Sequence, residues 1–257
     1  MSRPKRLLVL DIGNTSVTGG LYHNGHVTHV HRVAETRDRQ LAASDTLQQL
    51  KRQYEFTDCI MSSVVPKLDA SWSKAVRSWI GKKPQLLTHR TPMPIGINFP
   101  KPASIGGDRL ASACGAVVRY GAPCIVIDIG TALTFDIVLA DDGYIGGIIA
   151  PGLPLMFDYM AERTALLPHI RPMKLRRSIG KSTEEAMRIG AQLGYRGMVR
   201  EMLKEVKREM GVRQPHVVAT GGYAKWVIPD LDPNIPMHDD LTLFGLGAIF
   251  DYNATRN

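Results

Sequence analysis

The sequence has few cysteines and no long apolar run, and each shortage excludes a class of protein. Its 257 residues include three cysteines, none in a Cys-x-x-Cys pair, so neither a disulfide framework nor a cysteine-based zinc site is expected. Every apolar run meets an Asp or a Gly within about ten residues, whereas a membrane-spanning helix needs about twenty apolar residues. We therefore expect a cytoplasmic protein that does not associate with a membrane.

Several functional motifs are also missing. The stretch Gly180-Lys181-Ser182-Thr183 ends like a phosphate-binding loop, but Leu175 stands where that motif requires its first glycine. Its Ser and Thr are better interpreted as the cap of a long helix. Basic residues outnumber acidic ones by 32 to 24, which favours an anionic partner. They form no stripe interleaved with aromatic residues, so nucleic-acid binding is not expected.

The most informative stretch begins with an apolar run at residues 7–10, which predicts a buried strand. The run ends at Asp11, and a charged side chain is costly in a core, so Asp11 is expected at the strand end facing a polar region. Gly13 allows a turn, and the polar residues after it supply hydrogen-bond donors. This combination suits phosphate oxygens together with Mg²⁺, although an ordinary strand and polar turn would look similar.

The same design recurs at residues 125–134, where an apolar run leads into Asp128, Gly130 and Thr131. Internal similarity of this kind predicts two related lobes. Paired Asp-x-Gly-Thr turns resemble those of the superfamily of actin-like proteins, sugar kinases and heat-shock ATPases. That resemblance implies an α/β fold of two ribonuclease-H-like lobes facing a shared nucleotide cleft, with one lobe at residues 1–119 and the other at 120–257.

The intervening sequence supports this organisation. Asn24-Gly25 is a strong hairpin signal between two strands, and residues 41–53 have helical periodicity. A long helix beginning near Thr183 carries a methionine-rich apolar stripe, which is typical of a core or a subunit interface. The last helix is predicted to start at Asp239-Asp240, capped by its own carboxylates.

A second acidic residue follows two glycines in the stretch Ile105-Gly106-Gly107-Asp108-Arg109. The glycines allow a ligand to approach the backbone, and the amides of a helix start favour anions. From these residues alone, Asp108 is either a functional carboxylate or the N-cap of the helix that runs to about residue 120.

The ordered set of motifs is more specific than any one of them. Asp-x-Gly-Asn-Thr, Ile-Gly-Ile-Asn-Phe-Pro, Gly-Gly-Asp-Arg, Asp-x-Gly-Thr-Ala-x-Thr-Phe-Asp, Gly-Gly-x-Ile-x-Pro-Gly, Thr-Gly-Gly and Asp-Leu-Thr-Leu-x-Gly-Leu follow one another along nearly the whole chain. This order closely resembles the type III pantothenate kinases. The resemblance implies ATP-dependent phosphorylation of pantothenate to 4'-phosphopantothenate, the first step towards coenzyme A, by a homodimer.

The resemblance also implies roles for individual residues. Asp108 would be the catalytic base, Asp128 would bind a monovalent cation (K⁺ or NH₄⁺), and Asp11 would serve Mg²⁺ through phosphates or water. ATP would be bound by Asp11, Ile12, Gly13, Asn14, Thr15, Ser16, Val17, Thr18 and Thr131. Pantothenate would be bound by Phe99, Gly106, Gly107, Asp108, Arg109 and Thr183.

Two positions depart from the family pattern: Phe99 stands where a substrate-contacting Tyr is usual, and Gly107 replaces a common Ala. Arg109 would pair either with the pantothenate carboxylate or with a neighbouring acid. Two other functions stay open, a nucleotide-binding regulator without turnover and a kinase or phosphatase acting on another small molecule. An assay of ATP conversion to ADP across a panel of small alcohols would discriminate among the three.

Overall fold

The computed structural model describes residues 6–34 and 55–256, so the helix predicted at residues 41–53 lies outside the described residues. The strands are β1 Leu7–Ile12, β2 Ser16–His23, β3 His26–Ala34, β4 Asp58–Ser63, β5 Gln85–Leu86, β6 Cys124–Ile129, β7 Ala132–Leu139, β8 Gly143–Pro151 and β9 His216–Thr220. The helices are α1 Pro66–Ile80, α2 Gly107–Tyr120, α3 Leu153–Arg163, α4 Thr183–Met210, α5 Ala224–Leu231 and α6 Leu241–Ala254, with a short 3₁₀ turn at Pro102–Ser104.

The first sheet has the strand order β3-β2-β1-β4-β5. Strands β1, β2 and β3 are antiparallel neighbours, whereas β4 lies parallel to β1 on its other side. The predicted hairpin turn between β2 and β3 is confirmed. Asn24 and Gly25 have φ angles of 49° and 75°, as a two-residue turn of the favoured twist requires.

Alternate residues of β1 pack on opposite faces of this sheet, as the pleat of a strand dictates. Leu8, Leu10 and Ile12 join the core that contains Trp72 and Val76 of α1. Leu7 and Val9 join the core formed with α2 and α6. By the same alternation, Asp11 lies on the face that α2 covers.

Helices α2 and α6 approach each other closely on that face because both carry glycine at the contact. A Cβ atom on Gly115 would lie 2.8 Å from the carbonyl oxygen of Leu241, and one on Gly245 would overlap the carbonyl oxygen of Ala111. This close packing anchors α2, the helix whose first turn carries Asp108.

The second sheet has the order β8-β7-β6-β9, with β9 parallel to β6. Strands β6, β7 and β8 are consecutive in the chain and adjacent in this sheet, as β1, β2 and β3 are in the first sheet. This confirms the predicted repeat. Within the described residues, no helix is both long and apolar enough to cross a membrane.

The described residues form two compact units. The first unit contains residues 6–34, 55–122, 138–146 and 240–256, and the second unit contains residues 123–137 and 147–239. The predicted division at residues 119 and 120 stays a prediction. The two compact units differ from that division because residues 138–146 and helix α6 belong to the first unit.

Candidate active site

The turn after β1 is organised around Asp11 and Gly13. The backbone N–H of Gly13 donates to the carbonyl oxygen of Ser16 at 3.0 Å, which closes the turn between β1 and β2. Asn14 and Thr15 at its tip are exposed. The hydroxyl oxygen of Ser16 accepts a hydrogen bond from Nε of Arg32 at 2.9 Å. The turn therefore presents exposed polar groups beside a carboxylate and a guanidinium, a combination that suits a phosphate with its cation.

Asp108 lies in the first turn of α2, but it is not the N-cap. Gly106 occupies the cap position, so the interpretation of Asp108 as a helix cap is wrong. Oδ1 of Asp108 instead accepts a hydrogen bond from the backbone N–H of the next residue, Arg109, at 2.8 Å. A Cβ atom on Gly106 would overlap this same oxygen, so glycine is needed there for the carboxylate to adopt its position.

The structure brings Asp11 and Asp108 close enough for their charges to interact. Burial raises the pKa of Asp11, and the charge of Asp108 raises it further, while a hydrogen bond from Ser62 and the charge of Arg32 oppose the rise. Burial also raises the pKa of Asp108, against the hydrogen bond and the charge of Arg109. Two desolvated carboxylates of like charge are typical of a functional site, because each disfavours ionisation of the other.

This pair fits a site that receives a cation with its substrate. Within residues 6–34 and 55–256, no group of three or more His, Cys, Asp or Glu side chains is arranged to hold a metal ion. Mg²⁺ in kinases is commonly bound through one or two carboxylates, waters and substrate phosphates rather than by a complete protein cage. Asp11 supplies such a carboxylate, and a cation beside it would relieve the repulsion from Asp108.

Phe99 and Arg109 are linked by Tyr144, a residue that the sequence reasoning missed. The rings of Phe99 and Tyr144 meet edge to face with centroids 6.2 Å apart. The guanidinium carbon of Arg109 lies 6.0 Å from the centroid of the Tyr144 ring. Tyr144 is buried in the first unit's core. Tyr144 is the second residue of β8, and no motif in the sequence near it indicates this contact.

In the second unit, Asp128 is the penultimate residue of β6, and a tight turn follows the strand. The backbone N–H of Gly130 donates to the carbonyl oxygen of Ala132 at 3.0 Å, and Gly152 donates to that of Thr131 at 3.1 Å. A Cβ atom on Gly152 would overlap the carbonyl oxygen of Thr131. Gly152, which follows β8, therefore packs directly against the turn that carries Thr131.

Thr183 is the first residue of α4 and is exposed. The preceding residue, Ser182, is the N-cap, and its hydroxyl accepts a hydrogen bond from the backbone N–H of Glu185 at 3.2 Å. The carboxylate of Glu185 reaches back to the backbone N–H of Lys181 at 2.7 Å. The predicted helix cap is confirmed, and it holds the backbone at Thr183 in a defined geometry.

The Thr-Gly-Gly turn after β9 borders a cavity of about 630 Å³ in the second unit. Tyr223 and Trp226 contribute aromatic surface to it. Of its three basic side chains, Lys174 and Lys225 form ion pairs with Asp230 and Asp239, and Arg171 adds a further positive charge. The lining residues are Arg171, Pro172, Lys174, Gly222, Tyr223, Lys225 and Trp226. Aromatic surface together with positive charge suits a ligand that combines a flat ring with an anion.

The fold places the chain in a broad class. The structure of a ROK hexokinase from Thermus thermophilus superposes with a TM-score of 0.51 at 11% sequence identity, covering 95% of this chain and 98% of that one. The predicted α/β class with two ribonuclease-H-like lobes, shared by actin-like ATPases and sugar kinases, is thus confirmed at the level of the fold.

Sequence relatives narrow the class to one family. The profile of the type III pantothenate kinases matches residues 7–205. A type III pantothenate kinase of Akkermansia muciniphila is 42% identical over 204 residues, which cover 79% of this chain and 82% of that protein. One from Thermomicrobium roseum is 35% identical over 251 residues, 95% of this chain and 96% of that protein. The chain belongs to the type III pantothenate kinase family.

Proposed function

We propose that this chain transfers the γ-phosphoryl group of ATP to the primary hydroxyl of pantothenate, giving 4'-phosphopantothenate for coenzyme A synthesis. The observation that carries the proposal is the pairing of Asp11 and Asp108 on one face of the first sheet. Phosphoryl transfer requires neutralisation of phosphate charge, alignment of the reactants and an oriented hydroxyl. Asp108 orients the hydroxyl and accepts its proton, and Asp11 contributes to neutralising the phosphate charge.

Asp108 is the proton acceptor for the pantothenate hydroxyl. Its raised pKa makes it a stronger base than an ordinary aspartate, which favours proton transfer near neutral pH. The backbone N–H and the charge of Arg109 keep the carboxylate oriented and ionisable. Arg109 itself pairs with the carboxylate of pantothenate, since a guanidinium binds that group in a fork geometry.

Asp11 and the turn that follows it bind the phosphate end of ATP. Mg²⁺ carried by ATP would supply neutralisation of the phosphate charge, and Asp11 would hold it directly or through water. The exposed polar groups of Asn14 and Thr15 donate to phosphate oxygens. The family resemblance assigns Thr131, in the second unit, to ATP as well.

The remaining parts of the proposal follow the family resemblance. Asp128 binds a monovalent cation, K⁺ or NH₄⁺, and Thr183 contacts pantothenate. The protein is a cytoplasmic homodimer, which large exposed apolar side chains of the second unit support, since such surface commonly marks an interface. Ile149 is 66%, Tyr159 63%, Leu166 89% and Ile179 74% exposed. Sedimentation at micromolar concentration tests the assembly, and a monomer there would contradict it.

The decisive experiment is Asp108→Asn, which preserves the size of the side chain and removes its basicity. We expect kcat for pantothenate to fall by at least about a hundredfold, since a general base contributes roughly 10²–10⁴-fold. ATP binding and the melting temperature should stay close to those of the wild type. Asp69→Asn is the matched control, because Asp69 also lies in the first turn of a helix of the first unit.

The outcomes separate the alternatives. An Asp108→Asn variant that keeps most of its activity would contradict the base assignment. Wild-type protein that binds ATP but phosphorylates none of a panel of small alcohols would favour the regulator. Turnover of another alcohol in preference to pantothenate would favour a kinase of different specificity.

A further inference from the structure

Ser62 is a fully buried serine beside the candidate catalytic carboxylates, and the family resemblance assigns it no role. It lies on β4, where it pairs in parallel register with Asp11 of β1. Its hydroxyl donates a hydrogen bond of 2.7 Å to Oδ1 of Asp11. Ser62 has no exposed surface. A buried hydroxyl needs a partner, and here the partner is the carboxylate proposed to serve ATP and Mg²⁺.

The same side chain also touches the helix that carries the second carboxylate. Ile60 packs on the core face formed with α2, and Cys59 and Met61 pack on the other face. Ser62 therefore faces α2 by the alternation of the strand. A Cβ atom on Gly107 would lie 3.4 Å from Cβ of Ser62 and 3.2 Å from the carbonyl oxygen of Leu87. The first turn of α2 thus packs directly on β4 at Ser62.

Each of these contacts constrains one of the two acids. The hydrogen bond restricts the rotation of the Asp11 carboxylate and occupies one acceptor site of Oδ1. The packing of Gly107 on Ser62 fixes how closely the turn bearing Asp108 approaches Asp11.

We propose that Ser62 is a positioning residue for phosphoryl transfer, whose hydroxyl orients Asp11 while its Cβ sets the approach of the α2 turn. The inference rests on the proposed function, because it takes Asp11 to serve the Mg²⁺ and phosphate end of ATP. A positioning residue acts through the side chain that it holds in place. Small errors in the placement of that side chain reduce the rate of the catalysed reaction strongly.

Ser62→Ala tests the proposal, because alanine keeps the Cβ atom against Gly107 and removes only the hydroxyl. We expect the Mg²⁺ concentration for half-maximal rate to rise about tenfold, as hydrogen bonds to charged groups are the stronger ones. KM for pantothenate should change by less than about twofold, since the contact to α2 is kept. The Mg²⁺ concentration at which ATP raises the melting temperature should rise in parallel, which is a readout independent of turnover.

Ser112→Ala is the matched control. Ser112 is also a buried serine of the first unit, 2% exposed, and its hydroxyl shares a hydrogen bond of 2.9 Å with that of Thr242. The Ser112→Ala variant should lower the melting temperature about as much as Ser62→Ala does, and it should leave both Mg²⁺ measurements unchanged.

Asp11→Asn, measured in parallel, separates the inference from the proposed function. If Asp11→Asn shifts both Mg²⁺ measurements and a folded Ser62→Ala behaves like Ser112→Ala, the role of Ser62 is overturned. If Asp11→Asn shifts neither, the proposed role of Asp11 fails, and the inference fails with it. Should Ser62→Ala not fold, Ser62→Cys fills the site with a much weaker donor, and wild-type Mg²⁺ dependence in that variant would equally overturn the proposal.

Discussion

Gly221 lies directly against the carboxylate of Asp128, so that a Cβ atom on Gly221 would overlap Oδ1 of Asp128. The same atom would lie 2.6 Å from the carbonyl oxygen of Ile129, and Gly221 has a φ of 94°, which side-chain-bearing residues rarely adopt. The turn after β9 can therefore close on the turn after β6 only because it has glycine at this position. The Thr-Gly-Gly motif thus allows the two turns to pack together at Asp128, and it also lines part of the cavity.

Gly221→Ala should therefore lower both stability and the response to a cation at Asp128. We expect a loss of at least about 1 kcal/mol in the free energy of unfolding, because the backbone strain and the overlap add. Gly194→Ala in α4 is the control, since a Cβ atom there would meet nothing within 4 Å. It should leave stability unchanged or raise it by up to about 1 kcal/mol. Urea unfolding compares the two, and equal effects would contradict the packing argument.

The proposed cation role of Asp128 predicts a specific salt dependence. Activity should require K⁺ or NH₄⁺ and fall sharply in a buffer that contains only Na⁺ or Tris. Asp128→Asn should weaken that dependence together with ATP affinity, because it removes the charge that holds the ion. Steady-state rates at constant ionic strength provide the measurement. Equal wild-type rates in Na⁺ and K⁺ would remove the cation role from this residue.

Several elements were predictable because their signals are local. The hairpin at Asn24-Gly25 and the helix end at Gly81, which has a φ of 83°, depend on residues adjacent in sequence. The strand before Asp11 was predictable for the same reason, since an apolar run that ends in a carboxylate and a glycine identifies its own boundary.

The features that were missed depend on long-range pairing. The contact of Ser62 with Asp11 requires the register of β1 and β4 across 51 residues, which no local pattern specifies. The last helix begins after Asp240 at the N-cap position, as predicted, but the prediction that its carboxylate caps the helix was wrong for a similar reason. The carboxylate of Asp240 makes no cap hydrogen bond and pairs instead with Arg119 at 3.0 Å. A cap and a distant ion pair compete for the same carboxylate, and sequence alone does not decide between them.

Phe99→Tyr should lower KM for pantothenate without much change in kcat. The ring position is fixed by its edge-to-face contact with Tyr144, so a hydroxyl added at the ring tip would have a defined direction. One neutral hydrogen bond is worth roughly 0.5–1.5 kcal/mol, or about two- to tenfold in KM. Phe99→Leu, which removes the aromatic contact, should instead raise KM. An unchanged KM in Phe99→Tyr would mean that no acceptor on pantothenate lies within reach.

The raised pKa of Asp11 predicts how stability depends on pH without Mg²⁺ or nucleotide. Between the ordinary aspartate pKa, about 3.9, and the raised value, the folded protein keeps a proton that the unfolded chain has released. The free energy of unfolding therefore falls as pH rises through this window. Asp11→Asn removes the effect, and its amide oxygen can still accept the bond from Ser62.

This variant should be more stable than the wild type at about pH 8, by on the order of 1 kcal/mol, and the difference should shrink at about pH 5. Urea unfolding in EDTA at both pH values measures it, with Asp69→Asn as the control. A stability difference for Asp11→Asn that grows towards acidic pH would contradict the direction assigned to this pKa.

Two tyrosines of opposite hydrogen-bonding status offer a matched comparison. In the first unit, the hydroxyl of Tyr22 donates to Oδ2 of Asp251 at 2.8 Å, joining β2 to α6. In the second unit, Tyr195 on α4 has no exposed surface, and its hydroxyl oxygen has no hydrogen-bond partner within the described residues. The two side chains are chemically identical, so the same substitution isolates the contribution of the partner.

Tyr22→Phe should lower the free energy of unfolding by about 1–3 kcal/mol, because it deletes a bond to a charged group while the ring keeps its packing against Gly247. Tyr195→Phe should be neutral or stabilising, because it removes a hydroxyl whose desolvation nothing offsets. Urea unfolding of both variants under one condition gives the comparison. If Tyr195→Phe instead costs as much as Tyr22→Phe, a buried water that bonds the Tyr195 hydroxyl is the expected reason. Burial raises the pKa of Tyr195 and the charge of Asp128 raises it further, so the space near that carboxylate is the place to look for such a water.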